Sequence, residues 1–229
     1  MSMRQLGADL RAVGAGAPAA DALLDFGRLA AAPLLSEPCD HVVVQGFVRP
    51  AALQAINADY PTIADPGNFP LEGLSYGPGF RAFVAAMTGE AMRRCFGAKF
   101  GVDLGPYPTQ MTVRRFAAPD DGYIHNDSVT KKITVLVYLN RDWHQPGGRL
   151  RMLRSEHDID DYLTEVEPAG GTLLAFRRNE RSFHGFSRCE GERRSVQMCW
   201  VEPKRLERGA KKKRGPVRKL LKRWLRGTK

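Results

Sequence analysis

Two kinds of hydrophobic spacing divide the chain near Gln110. Before it, apolar residues recur at helical intervals. Leu23, Leu24, Phe26 and Leu29 mark a short helix within 21–35, which Pro38 closes. Leu53 and Ile56 mark a helix over 51–58 behind Pro50, and Phe83, Met87, Met92 and Phe96 mark one over 80–96. A β-branched run at 41–47 predicts one early strand. Between the helices, residues 61–79 hold Pro61, Pro66, Gly67, Pro70, Gly73, Gly77, Pro78 and Gly79. This predicts a long loop of the kind that often faces a substrate. After Gln110 the spacing changes to short strands at 111–116, 133–139, 149–153, 162–166, 171–176, 183–186 and 195–201, separated by Gly, Pro or charged turns. Helices followed by a run of short strands predict a mainly β fold, a sandwich or barrel with the helices packed on one side.

The 229 residues suit one domain with extensions: a loose lead over 1–20, a domain over 21–203 with its core at 110–201, and a tail over 204–229. Nothing reads as a membrane span or a signal peptide. Cys39, Cys95, Cys189 and Cys199 are scattered without a Cys-x-x-Cys, which fits free thiols in a reduced cytoplasm. The net charge of +10 belongs to the tail: residues 204–229 carry 13 Lys/Arg against one Glu, so the body before them is about −2.

Chemistry concentrates at Tyr123-Ile124-His125-Asn126-Asp127. An imidazole and a carboxylate two residues apart share one face of an extended segment and can reach one metal ion. A lone His is more often structural, and Asp127 could equally cap a turn. A second His, His184, lies 57 residues after Asp127 in a late strand, and the three together match the facial triad of non-haem Fe(II) oxygenases. His41, His144 and His157 read as surface or loop residues. A 2-oxo acid on such an iron needs a cation for its far carboxylate, and Arg presents a planar fork to one. Arg194 opens the strand that ends at Trp200. Alternation puts Arg194, Val196, Met198 and Trp200 on one face, read here as the pocket floor, with Arg193 facing away. The bland alternative is that Glu192-Arg193-Arg194 is a charged turn.

Residues from about 111 to 201 resemble the Fe(II)/2-oxoglutarate-dependent prolyl hydroxylases, in particular the catalytic domain of the hypoxia-inducible-factor type. The matching stretches are the one around His125 and Asp127, Val137-Tyr138-Leu139-Asn140-Arg141-Asp142-Trp143, Gly147-Gly148-Arg149-Leu150-Arg151, Glu167-Pro168, Leu173-Leu174-Ala175-Phe176, His184, and Arg194 through Trp200. The resemblance implies a double-stranded β-helix (jelly roll) with the N-terminal helices on one sheet. It implies that His125, Asp127 and His184 bind Fe(II), that Arg194 and Tyr138 hold the far carboxylate of 2-oxoglutarate, and that Leu150 is a pocket wall. That family places a Tyr on the strand before the His-x-Asp, where this chain has Arg115 and Phe116. The implied reaction is hydroxylation of an unactivated C–H with O2 and 2-oxoglutarate, with ascorbate as a candidate reductant and a prolyl residue of a protein or peptide as substrate. A membrane-associated sugar or lipid precursor is the alternative substrate. A non-catalytic jelly-roll binding module and a zinc enzyme of the cupin kind are the rival readings.

In the tail, Lys211-Lys212-Lys213-Arg214 precedes Val217, Leu220, Leu221, Trp224 and Leu225 at amphipathic helical spacing, with cations between them. The pattern suits an anionic membrane surface, with a nucleic acid or ribosome, or a plain solvated tail, as alternatives. It is compatible with a cytoplasmic protein peripheral on the inner face of a membrane.

Overall fold

The structure, a computed structural model, describes residues 19–203. Most of the lead and the whole of the basic tail, with its amphipathic pattern, lie outside the described residues.

The helices are α1 (Ala20–Leu23), α2 (Phe26–Ala31), α3 (Pro50–Ala58), α4 (Pro78–Thr88) and α5 (Glu90–Phe100). The segment 21–35 expected as one helix is two, because Leu24 turns extended and Asp25 caps α2, its carboxylate accepting from the backbone N–H of Arg28 at 2.9 Å. The helix expected over 80–96 is also two. Gly89 has extended backbone and separates α4 from α5.

The strands are β1 (His41–Val44), β2 (Phe69–Pro70), β3 (Thr109–Ala117), β4 (Lys131–Tyr138), β5 (Leu150–Leu153), β6 (Tyr162–Val166), β7 (Leu173–Arg177), β8 (His184–Phe186) and β9 (Gly191–Val201). They form a six-stranded sheet in the order β1-β7-β4-β9-β3-β2 and a three-stranded sheet in the order β6-β5-β8. Their pairings are antiparallel. The long loop 61–79 contributes β2, which closes one edge of the larger sheet on β3.

Alternation gives the larger sheet two faces of different character. Val135 and Val137 on β4, Val196, Met198 and Trp200 on β9, and Met111 and Val113 on β3 join one core with the helices. Leu136, Tyr138, Leu174 and Phe176 point the other way and meet Leu150, Met152 and Val166 of the smaller sheet. Two facing antiparallel sheets with helices on one outer face are the architecture expected from the strand pattern. His41, expected at the surface or in a loop, is buried. Its Nδ1 is 2.9 Å from the Cys39 carbonyl and its Nε2 2.9 Å from Thr164 Oγ1, so it ties β1 to β6.

The turn into β5 brings the chain against the segment before β9. Gly148 has φ +79°, and a Cβ there would lie 2.5 Å from the Trp143 ring and 2.9 Å from Cys189 Sγ. Gly148→Ala is therefore expected to destabilise the protein by about 2 kcal/mol or more, from left-handed strain plus the clash, as read by urea unfolding. An unchanged midpoint would mean that the turn yields freely.

Candidate metal centre

His125 sits outside the named strands but exchanges backbone hydrogen bonds with His184 on β8, at 3.0 and 2.9 Å. The bridge sets the two imidazoles side by side, with centroids 4.3 Å apart. Asp127, two residues on, turns its carboxylate to the same place, and ligand atoms of His125, Asp127 and His184 all lie within 4.8 Å of one another. Such a set could hold one metal ion.

The protein fixes each donor. His184 Nδ1 is 2.9 Å from the Ser182 carbonyl and His125 Nδ1 is 3.1 Å from the Tyr123 carbonyl. A carbonyl can only accept, so both rings carry their proton on Nδ1 and leave the Nε2 lone pair for a metal. Burial, with a smaller contribution from His125, pushes His184 down to about 4, so the ring stays neutral near pH 7. Burial works to raise the Asp127 carboxyl, but the Lys131 ammonium, His184 and the Thr134 hydroxyl, which donates to Oδ2 at 2.6 Å, together hold it below the usual carboxylate range. The Lys131 ammonium pairs with Oδ1.

A cavity of about 110 Å³ opens between the two histidines and the inner face of the larger sheet. Leu136 and Leu150 wall it. Arg193 also lines it and is only 3% exposed. Its Nε and Nη2 donate to the Gly148 carbonyl at 3.1 and 3.0 Å, and its guanidinium lies 5.3 Å from the Tyr138 ring centroid and 4.0 Å from that of Phe186. Among the described residues no carboxylate comes within ion-pairing distance of it. Tyr138 is fully buried and its hydroxyl has no hydrogen-bond partner. Burial raises this phenol, against the pull of Arg193, so it is a neutral donor. A buried cation without a carboxylate partner, beside a buried hydroxyl without a hydrogen-bond partner, suits the far carboxylate of a dicarboxylic acid.

Arg194 and Trp200 do not reach this cavity, which corrects the expectation for both. They share a face of β9, as alternation requires, but that face packs on the helices. Arg194 donates to Asn57 Oδ1 at 2.9 Å, pairs with Glu192 at 2.6 Å and lies over the Tyr60 ring. Trp200 packs against Phe96 in a tilted pair, with centroids 5.3 Å apart. The cavity face of β9 is the polar one, Arg193, Ser195 and Gln197. That polarity was the signal to follow, because a site for a dianion must be lined with donors. On β3, the cavity-facing residue is Arg114 rather than Arg115 or Phe116. Arg115 pairs with Glu192 and stacks on Phe116.

The pH dependence of stability follows from His184. Its folded value is depressed below 6.5, so its contribution is present above about pH 6.5 and is lost as pH falls towards about 4. The melting temperature of the metal-free protein should fall across that window, and His184→Gln should flatten the slope. An unaltered slope in the variant would remove His184 as its source.

Residues 111–202 match the family model of the 2OG-Fe(II) oxygenase superfamily. No curated protein matches the chain in sequence. The fold is similar to that of a prolyl-4-hydroxylase from Pseudomonas putida, with 20% identity, a TM-score of 0.52, and coverage of 81% of this chain and 95% of that one. It is also similar to prolyl 4-hydroxylases from Phytophthora capsici, with 15% identity, a TM-score of 0.52, and coverage of 79% and 66%. The family uses Fe(II), 2-oxoglutarate and O2, and the donor set, the buried cation and the hydroxyl without a partner fit that pair of cofactors. Residues 111–202 are thus a domain of the 2OG-Fe(II) oxygenase superfamily, in a chain whose fold is similar to that of prolyl 4-hydroxylases.

Proposed function

We propose that the chain hydroxylates a prolyl residue of a protein or peptide, with Fe(II) held by His125, Asp127 and His184, and 2-oxoglutarate held at its far carboxylate by Arg193 and Tyr138. The observation that carries the anchor is the guanidinium of Arg193, buried in the metal cavity without a carboxylate partner, beside the Tyr138 hydroxyl. When bound, the iron and cosubstrate supply O2 activation, converting 2-oxoglutarate to succinate and CO2 as a C–H becomes C–OH.

The chain's own residues orient and enclose. The carbonyls of Tyr123 and Ser182 aim both imidazoles. Thr134 donates to one oxygen of the Asp127 carboxylate and Lys131 pairs with the other, so the carboxylate is held in place. Leu136 and Leu150 keep water from the reacting centre. At the mouth, Tyr123 is 72% exposed, and its ring centroid is 5.2 Å from that of His125. An aromatic face beside the metal suits the apolar ring of a prolyl residue. Two proteins of this fold are prolyl 4-hydroxylases, which agrees with that substrate.

Three measurements test the reading. Anaerobic titration with Fe(II) and then 2-oxoglutarate should produce a visible charge-transfer band that needs both components and is lost in Asp127→Ala. Arg193→Gln should weaken 2-oxoglutarate binding by about 100-fold, as expected for a buried charged pair, while Arg194→Gln leaves it within about twofold. Equal loss in both variants would sink the anchor. Incubation with prolyl peptides should give a gain of one oxygen on proline together with succinate. Succinate formed without peptide oxidation, across a broad peptide set, would reject the prolyl substrate.

A further inference from the structure

The inner face of the larger sheet carries a second buried arginine beside the first. Arg114 on β3 pairs across with Ser195 on β9, and Ser195 in turn pairs with Tyr138 on β4. The three residues form one row across three adjacent strands, all facing the cavity side. Arg193 lies two residues along the middle strand, diagonal to Arg114 on one side and Tyr138 on the other. Between Arg114 and Phe116 the register slips, so β9 carries an extra residue where Arg193 turns inward. Arg114 is 8% exposed and lines the same cavity.

Arg114 is not free. Its Nη1 pairs with Asp121, whose carboxylate also accepts from the Ala118 N–H at 2.9 Å, and its Nε donates to Asn68 Oδ1 at 3.2 Å. Nη1 also reaches the Phe116 carbonyl, at 3.5 Å. None of these bonds uses Nη2. The cavity wall thus holds two guanidiniums, Arg114 and Arg193, against the single carboxylate of Asp121, a surplus of one positive charge. Asp121 feels both cations: burial raises it, yet its bonds to Arg114 and Ala118 and the charges of Arg114 and Arg193 hold it below the usual range.

We infer that Arg114 is a second cosubstrate-binding arginine. It closes the carboxylate cradle of Arg193 from the side opposite Tyr138, and Asp121 sets its strength by sharing it. A dicarboxylic 2-oxo acid lying in front of Ser195 meets Tyr138 on one flank and the Arg114 Nη2 on the other, and competes with Asp121 for the Arg114 charge. This rests on the reading that Arg193 anchors the far carboxylate.

The experiment measures binding of 2-oxoglutarate, and of 2-oxobutyrate, which lacks the far carboxylate, to the full chain loaded with Mn(II), by calorimetry without turnover. Arg114→Gln should bind 2-oxoglutarate about tenfold more weakly, roughly the worth of one charge-assisted hydrogen bond, and Arg114→Lys should keep part of the affinity. Asp121→Asn should bind it several-fold more tightly. The double variant Arg114→Gln/Asp121→Asn separates contact from mere neutralisation. It should remain about tenfold weaker than Asp121→Asn alone, and 2-oxobutyrate binding should change in none of them. Equal affinity in the double variant and in Asp121→Asn alone would overturn the inference, since Arg114 would then only neutralise Asp121. A parallel loss of 2-oxobutyrate would overturn it too, as a change in cavity shape. Arg193→Gln is the separate control: unchanged 2-oxoglutarate binding there would remove the anchor reading itself, whatever Arg114 does.

Discussion

The structure depends on one constraint, that the larger sheet must satisfy two environments at once. One face buries Val135, Val137, Val196, Met198 and Trp200 against helices, and that apolar burial is the main contribution holding the helices to the sheet. The other face must enclose a polar cavity whose buried charges are met by the protein or by a ligand. Strand alternation meets both demands, because successive side chains on β4 and β9 go to opposite sides. Thr134, Leu136 and Tyr138 on one strand, and Arg193, Ser195 and Gln197 on its neighbour, are the residues this leaves for the site.

The second structural element of the site is the backbone bridge between His125 and His184. It joins a loop to the smaller sheet and so brings together residues 59 positions apart in the sequence. Each ligand is then aimed by its own neighbourhood: a carbonyl two residues earlier for each histidine, and a hydroxyl and an ammonium for the carboxylate. These partners are all supplied by the chain itself, which is the support a metal site needs.

Electrostatics in the cavity follow the same logic. Burial alone would neutralise the ionised groups here, yet Asp127 and Asp121 both stay charged because cations sit against them. Arg193 differs from Arg114, Lys131 and Arg194 in having no carboxylate within ion-pairing distance among the described residues, so the field of this wall is directed at a ligand rather than at the protein.

The sequence by itself determined the fold class, most strand positions and the three metal-binding candidates. Those features are local: a period of two, a His-x-Asp on one face, and turn residues between short apolar runs. It also placed Tyr138 and Leu150 on strongly patterned strands. It did not determine which face of β9 looks into the cavity. Alternation correctly grouped Arg194 with Val196, Met198 and Trp200, but only packing against α3 and α5 decided that this group is core and that Arg193 belongs to the site. The break at Gly89, the burial of His41 and the inward turn of Arg114 were likewise decided by partners distant in sequence, which a linear pattern cannot contain.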